Sequence, residues 1–153
     1  MTFDTDFGDG GFKSSKPLEP ELQRFSDDLV WCNHVVLFAP MWWGGLPAKL
    51  KGLFDRVLLP GYAFNTREKT IAGLPKPMLE GRTGRVVFTS DTPGFFFRMV
   101  YRQALVHQTR GQIMHFIGVK PTKVTWLSGA TDASRKKIKR WSSDITRLGR
   151  AAA

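Results

Sequence analysis

Cysteine, histidine and long apolar runs are scarce in this chain of 153 residues, and each scarcity excludes a class of protein. The single cysteine, Cys32, excludes an internal disulfide and a metal cluster built on cysteines. The three histidines show no metal-ligand spacing, so no metal site is expected. No apolar stretch approaches the roughly 20 residues of a membrane-spanning helix. Because the first residues are acidic and rich in glycine, no secretory leader is expected and a cytoplasmic protein is favoured.

The net charge of +10 is the unusual bulk property. Such a charge could attract nucleic acid, anionic lipid or an anionic cofactor. No aromatic residues interleave with the basic ones, and no nucleic-acid-binding motif is present, so we interpret the charges as a solvated helix face and expect no nucleic-acid partner. Much of the charge lies near the end of the chain, on Arg135, Lys136, Lys137, Lys139, Arg140, Arg147 and Arg150.

Apolar periodicity and turn residues predict alternating helices and strands in one domain over residues 18–150. Residues 1–17 are predicted to be an irregular arm and residues 151–153 a frayed tail. Helices are predicted over residues 20–31, 48–58 and 95–117, and from Thr131 or Asp132 onward, with a buried stripe of Ile138, Trp141, Ile145 and Leu148. Strands are predicted over residues 34–39, 85–90 and 123–127, and a long connection over residues 60–84. This alternation is typical of an α/β fold with an open parallel sheet and helices on its faces.

Two loops are predicted to meet at the carboxyl ends of these strands, where ligands bind in open parallel sheets. The loop over residues 40–47 contains adjacent tryptophans followed by glycines, which offer a stackable surface and a close backbone approach. Residues 89–92 are Thr, Ser, Asp and Thr, which could orient a ligand. A flat aromatic cofactor suits the pair of loops, and packing of the tryptophans in a core or lid is the alternative.

The residues around these loops resemble those of a known family. The segment over residues 34–64, HVVLFAPMWWGGLPAKLKGLFDRVLLPGYAF, resembles the signature region of NAD(P)H:quinone oxidoreductases, the group of DT-diaphorase and bacterial quinone reductases. Residues 88–93 (FTSDTP) are similar to the second flavin loop of that family. Residues 115–118 (HFIG) and the basic last helix with Trp141 also fit. The resemblance covers residues 18–150.

The resemblance implies a flavodoxin-like fold, a bound FAD or FMN, and a homodimer. It also implies hydride transfer from NAD(P)H and the passage of two electrons to a quinone or a similar small acceptor. One set of positions matches the family segment that holds the isoalloxazine ring: Pro40, Met41, Trp42, Trp43 and Gly44. A second set matches the segment at the other edge of the ring: Thr89, Ser90, Asp91 and Thr92.

The candidate catalytic residues depart from the family pattern. Phe97 stands where the family often has a tyrosine, and Tyr101, one turn further on, is the candidate substitute. His107 resembles the active-site histidine of the family, but with a different spacing, and a structural role is the alternative. On the second helix, Lys49, Lys51 and Arg56 are interpreted as a solvated face, with contact to NADPH phosphate as the alternative.

Relatives begin with a strand, a phosphate-binding loop, a helix and a second strand before the region where this chain starts. We therefore expect an N-terminally truncated sheet of about three core strands. The strand over residues 34–39 would then be an apolar edge that pairs with another chain. The sequence leaves three explanations open: a shortened gene model, a partner that supplies the missing half, or a non-catalytic relative that acts as a protein-interaction or transporter-ancillary subunit.

Overall fold

Helices alternate with the three strands of the central sheet, as predicted. The computed structural model describes residues 3–11 and 14–151. The helices are α1 (Pro20–Trp31), α2 (Ala48–Val57), α3 (Gly94–Met99), α4 (Ala104–His107), a π-helix that continues it (Gln108–His115), and α5 (Arg135–Arg150). The strands are β1 (His34–Pro40), β2 (Phe64–Lys69), β3 (Pro75–Pro77), β4 (Arg82–Ser90) and β5 (Val119–Ser128).

The central sheet is parallel and has the order β1-β4-β5. Its register pairs His34 with Thr83 at one end of β1 and Pro40 with Thr89 at the other. Ser90 at the end of β4 pairs with Ser128 at the end of β5. All three strands therefore end at the same edge of the sheet. Within residues 3–11 and 14–151, the outer side of β1 has no partner strand, so β1 lies at the predicted edge position.

The core lies on one face of this sheet. Alternate β1 residues Val35, Leu37 and Ala39 point to that face, and the helices from α1 to the π-helix pack against it. On the other face, Val36 and Phe38 are 51% and 60% exposed. One face of β1 thus holds the core while the other leaves apolar side chains uncovered. The central cluster consists of Ala39, Val86, Phe88, Phe97, Leu105 and Val106.

The connection over residues 60–84 differs from the prediction. It contains an antiparallel hairpin of β2 and β3, and β4 begins at Arg82 rather than at residue 85. The hairpin gave no sequence signal because residues 65–69 are polar and are exposed or half-buried, so no apolar alternation marks the strand. Likewise β5 begins at Val119, and Pro121 interrupts its strand pattern.

The last helix also differs from the prediction. It begins at Arg135, and Ser134 caps it by accepting a hydrogen bond from the N–H of Lys137 at 3.3 Å. The predicted buried stripe is wrong in degree, because no residue of this helix is buried: Trp141, Ile145 and Leu148 are half-buried and Ile138 is 53% exposed. Ala151 is exposed, and the rest of the predicted frayed tail lies outside the described residues. Across the described ranges, no helix has the length and apolarity needed to cross a bilayer.

Arg56 corrects the interpretation of α2 as a solvated basic face. Its side chain is 0% exposed and pairs with the Glu19 carboxylate at 3.0 Å. It also donates to the carbonyl oxygens of Asp4 at 2.8 Å and Pro17 at 3.0 Å. The irregular arm is thereby fixed to α2. The pKa of Glu19 is lowered, chiefly by a hydrogen bond from its own backbone N–H and also by Arg56.

The contacts of Arg56 predict its contribution to stability. Replacing Arg56 with Met removes the donors to two carbonyl oxygens and one carboxylate, so the free energy of unfolding should fall by about 1–3 kcal/mol in urea denaturation. Arg140, whose side chain is 83% exposed, supplies the matched control. Arg140→Met should change stability by less than about 0.5 kcal/mol. Equal effects of the two substitutions would show that the arm is not held by Arg56.

Candidate functional site

The two predicted loops lie side by side at the carboxyl edge of the sheet. One leaves β1 after Pro40 and the other leaves β4 after Ser90. The N–H of Met41 donates to the carbonyl oxygen of Thr89 at 2.8 Å, which extends the β1–β4 ladder into the loops. The start of each loop is therefore fixed against the other by backbone hydrogen bonding.

A cavity of about 590 Å³ lies between the loops. This volume is in the usual range for sites that bind small molecules and cofactors. The cavity is lined from the first loop by Met41, Trp43 and Gly44, from the second by Ser90, Asp91 and Thr92, and from the segment of α3 and α4 by Phe97, Tyr101, Ala104 and Leu105.

The first loop is a tight turn closed by two hydrogen bonds between Trp42 and Gly45, at 3.0 and 2.9 Å. Both central residues have positive φ, 51° for Trp43 and 77° for Gly44, as in a type I′ turn. Glycine adopts this backbone readily, whereas a tryptophan is strained there. The Trp43 side chain is nevertheless fully exposed at the cavity. Because the ring is not packed in the core, the strain is typical of a functional position.

The second loop is held in place by its own side chains. Ser90 is buried, and its hydroxyl accepts a hydrogen bond from the N–H of Thr92 at 3.0 Å. The Asp91 carboxylate accepts from the N–H of Thr131 at 2.8 Å and from its hydroxyl at 2.6 Å. These bonds, the hydroxyl one foremost, lower the pKa of Asp91. Thr131 thus braces the loop and does not cap the last helix.

The third wall of the cavity depends on aromatic packing. Phe97 is buried and stacks on Trp126, with 3.7 Å between ring centroids and 8° between ring planes. Phe96 packs edge-on against Tyr101 at 5.1 Å, and Tyr101 stays 49% exposed. Phe95 points outward and is 73% exposed. Of the three consecutive phenylalanines, Phe97 is buried and lines the cavity, Phe96 is half-buried outside the lining, and Phe95 is exposed.

Most of the predicted ring-binding residues line the cavity, and the others have distinct positions. Pro40 and Thr89 lie in the strands from which the loops emerge. Trp42 is 60% exposed and does not line the cavity. Of the two candidate catalytic residues, Tyr101 lines the cavity, whereas His107 is exposed at the end of α4 and does not line it.

Sequence reasoning missed part of the lining. Ala104 and Leu105 belong to the cavity wall because the chain turns sharply after α3, where Arg102 and Gln103 both have positive φ. Nothing in the types of these two residues signals such a turn, since asparagine and glycine are the usual occupants of that backbone region.

The chemistry of the cavity suits a flat, uncharged ring. No lysine, arginine or histidine is among the residues described as lining it, and Asp91 is its one ionisable acid. Among the described residues, neither Trp43 nor Gly44 uses its backbone N–H in a hydrogen bond. These two donors, the Trp43 ring and the apolar floor could bind the edge and the face of a heteroaromatic ring.

Comparison with known proteins places the chain among flavodoxin-like folds. Residues 3–146 match the model of a family described as having a flavodoxin-like fold. The crystal structure of Smu.1420 from Streptococcus mutans superposes with a TM-score of 0.74 and 25% sequence identity, and the match covers 87% of this chain and 68% of that one. The parallel sheet and its helices are therefore confirmed as a flavodoxin-like arrangement.

Two curated relatives are oxidoreductases by name. FMN-dependent NADH:quinone oxidoreductase 1 of Idiomarina loihiensis is 30% identical over 116 residues, which cover 74% of this chain and 57% of that protein. An uncharacterized NAD(P)H oxidoreductase of Haemophilus influenzae is 39% identical over 56 residues, which cover 37% of this chain and 28% of that protein. The chain thus spans little more than half the length of the first relative, and less of the second.

The strained turn predicts that stability and ligand binding respond differently to one substitution. Trp43→Asn places the Asn-Gly pair that type I′ turns favour, so thermal denaturation should show stability unchanged or raised by up to about 1 kcal/mol. Gly44→Val should lower stability by about 1–2 kcal/mol because valine is strained at positive φ. A loss above about 1 kcal/mol in Trp43→Asn would show instead that the indole packs in the core.

Proposed function

Since this chain belongs to the flavodoxin-like fold family, we propose that it binds FMN between its two loops and acts as an NAD(P)H:quinone oxidoreductase. The observation that carries the proposal is the cavity of about 590 Å³ between Met41, Trp43 and Gly44 on one side and Ser90, Asp91 and Thr92 on the other. The name of the Idiomarina loihiensis relative supports FMN over FAD. When bound, FMN would supply two-electron transfer between NAD(P)H and a quinone.

The residues of the chain fit the ring of such a cofactor. The exposed Trp43 indole offers a stacking face, and the unused N–H groups of Trp43 and Gly44 can donate to ring oxygen and nitrogen atoms. Because these N–H groups are fixed in a tight turn, they would need no reorganisation to stabilise negative charge on a bound ring. Thr131 holds Asp91 at the far side of the cavity, so the second loop keeps its shape.

Tyr101 is the proposed proton donor to the quinone. Its ring lies in the cavity wall against Phe96, and it remains half exposed, so substrate can reach its hydroxyl. A phenol in this position can hydrogen-bond to a quinone oxygen and protonate it as electrons arrive. His107 lies outside the cavity lining, so the proposal assigns it no step.

A protein partner is the second element of the proposal. The outer side of β1 is unpaired among the described residues, and Val36 and Phe38 are exposed beside it. Unguarded apolar edges of this kind pair with other chains. We propose a homodimer in the cytoplasm, where NAD(P)H is available, and sedimentation analysis tests the dimer: a concentration-independent monomer would contradict it.

The composition of the cavity predicts how tightly different flavins bind. Because no basic residue lines it, the phosphate of FMN should gain little from this cavity. In fluorescence titrations, the dissociation constants of riboflavin and FMN should differ by no more than about threefold. One charge-assisted hydrogen bond to the phosphate would produce a larger difference in affinity. FMN binding more than about a hundredfold tighter would show that the chain holds the phosphate elsewhere.

Two exposed tryptophans provide a matched pair for the ring site. Trp43→Asn should raise the dissociation constant of FMN about tenfold or more, since loss of aromatic stacking costs about 1–3 kcal/mol per ring. Trp31 is 83% exposed at the end of α1 and outside the cavity lining. Trp31→Asn should leave both flavin affinity and quinone-dependent NADH oxidation unchanged. Equal retention of flavin by both variants would refute the assignment of the site.

A further inference from the structure

A second cavity lies behind the aromatic wall of the first. Its volume is about 480 Å³, and of the residues lining the two cavities only Phe97 is shared. It opens between α3, the π-helix and the end of β5. Its lining includes Arg98, Gln103, Arg110, Trp126 and Ser128. The proposed flavin site does not use any of these five residues.

Two guanidinium groups line this second cavity without a carboxylate partner. Arg98 comes from α3 and Arg110 from the π-helix, so two helical segments each contribute one guanidinium group to the cavity lining. Among residues 3–11 and 14–151, neither arginine forms an ion pair, and no acidic residue lines the cavity. Uncompensated guanidinium groups facing one space favour an anion, which they bind through charge-assisted hydrogen bonds.

The floor of the cavity carries an unused donor. The indole nitrogen Nε1 of Trp126 is buried and makes no hydrogen bond to any described residue. Buried polar groups are nearly always hydrogen-bonded, so this nitrogen is an exception within the described part of the chain. The same indole is stacked on Phe97 and only half-buried, with Val124 beside it in the lining. A ligand here would meet an apolar, aromatic floor below a basic rim.

The backbone at the rim is held in an unfavourable conformation. Arg102 and Gln103 have φ of 47° and 54°, a left-handed region that neither residue type prefers. This turn separates α3 from α4 and brings Gln103 into the cavity lining. Strain of this kind gathers at binding sites, where surrounding contacts maintain it. The turn thereby places the Gln103 side-chain amide beside the two guanidinium groups at the rim.

From these observations we propose that the second cavity binds an aromatic anion, a flat ring that carries a phosphate or carboxylate group. Arg98 and Arg110 bind the anionic group, and Trp126 and Val124 contact the ring. The site does not require flavin in the first cavity. A mononucleotide and an aromatic carboxylate share this chemistry, and binding experiments distinguish them.

Calorimetric titration of the full chain tests the proposal with AMP and 2-naphthoate as probes and adenosine as the uncharged comparison. At least one anion should bind, and adenosine should bind at least about tenfold more weakly than AMP if the phosphate is recognised. Binding of AMP alone identifies a phosphate ligand, and binding of 2-naphthoate alone identifies a carboxylate. Binding of neither anion would overturn the proposal.

Substitutions locate the binding. Arg98→Gln and Arg110→Gln should each weaken the bound anion about tenfold, and the double variant should abolish measurable binding. Arg67→Gln, an exposed arginine of β2 outside both cavities, is the matched control and should have no effect. Circular dichroism confirms folding, and FMN affinity should be unchanged in all four variants. Anion affinity that survives in the folded double variant would refute the site.

Discussion

Parallel pairing of β1 with β4 is the constraint on which the candidate site depends. It brings the ends of the two strands to one edge of the sheet, with Pro40 opposite Thr89. The hydrogen bond from Met41 to Thr89 carries the pairing one residue beyond the strand. Because successive residues of a strand point to opposite faces, a slip of one residue would turn the buried Ala39 side chain to the other face. The apolar core under β1 therefore fixes the relative position of the two loops, and Met41 and Leu46 of the first loop pack against it.

At this edge of the sheet, several residue types occupy backbone conformations that they rarely adopt. The strand residues below the edge are of the types usually found in buried strands. Below the edge, Val86 and Phe88 are fully buried strand residues of the expected type. At the edge, Trp43 occupies a left-handed turn position with its ring in solvent, and Arg102 and Gln103 occupy another. Packing in the core does not explain why these residue types occupy left-handed positions. Ligand binding gives one, since it can use an exposed ring and a turn that places donors at a cavity.

The sequence predicted the features that local signals specify. Apolar runs located β1 and all of β4 except its first three residues, and Pro and Gly located the loops that border the cavity. Features that depend on distant partners were not predictable. Arg56 is buried because Asp4, Pro17 and Glu19 surround it, residues at least 37 positions away. Thr131 braces Asp91 from 40 positions away, whereas the sequence indicated it only as a possible start of the last helix. The second cavity takes its lining from residues on α3, the π-helix and β5, including Arg98 and Arg110, and no local sequence signal shows that these elements enclose one space.

If the two loops form one ring-binding site, a single ligand should affect both of them. Backbone amide chemical shifts of the isotopically labelled chain, recorded by NMR before and after saturation with FMN, test it most directly. We expect the largest changes to fall together on residues 41–45 and 90–92, while the hairpin of β2 and β3 stays unchanged. Large changes confined to the hairpin or to α5, with both loops unaffected, would contradict it.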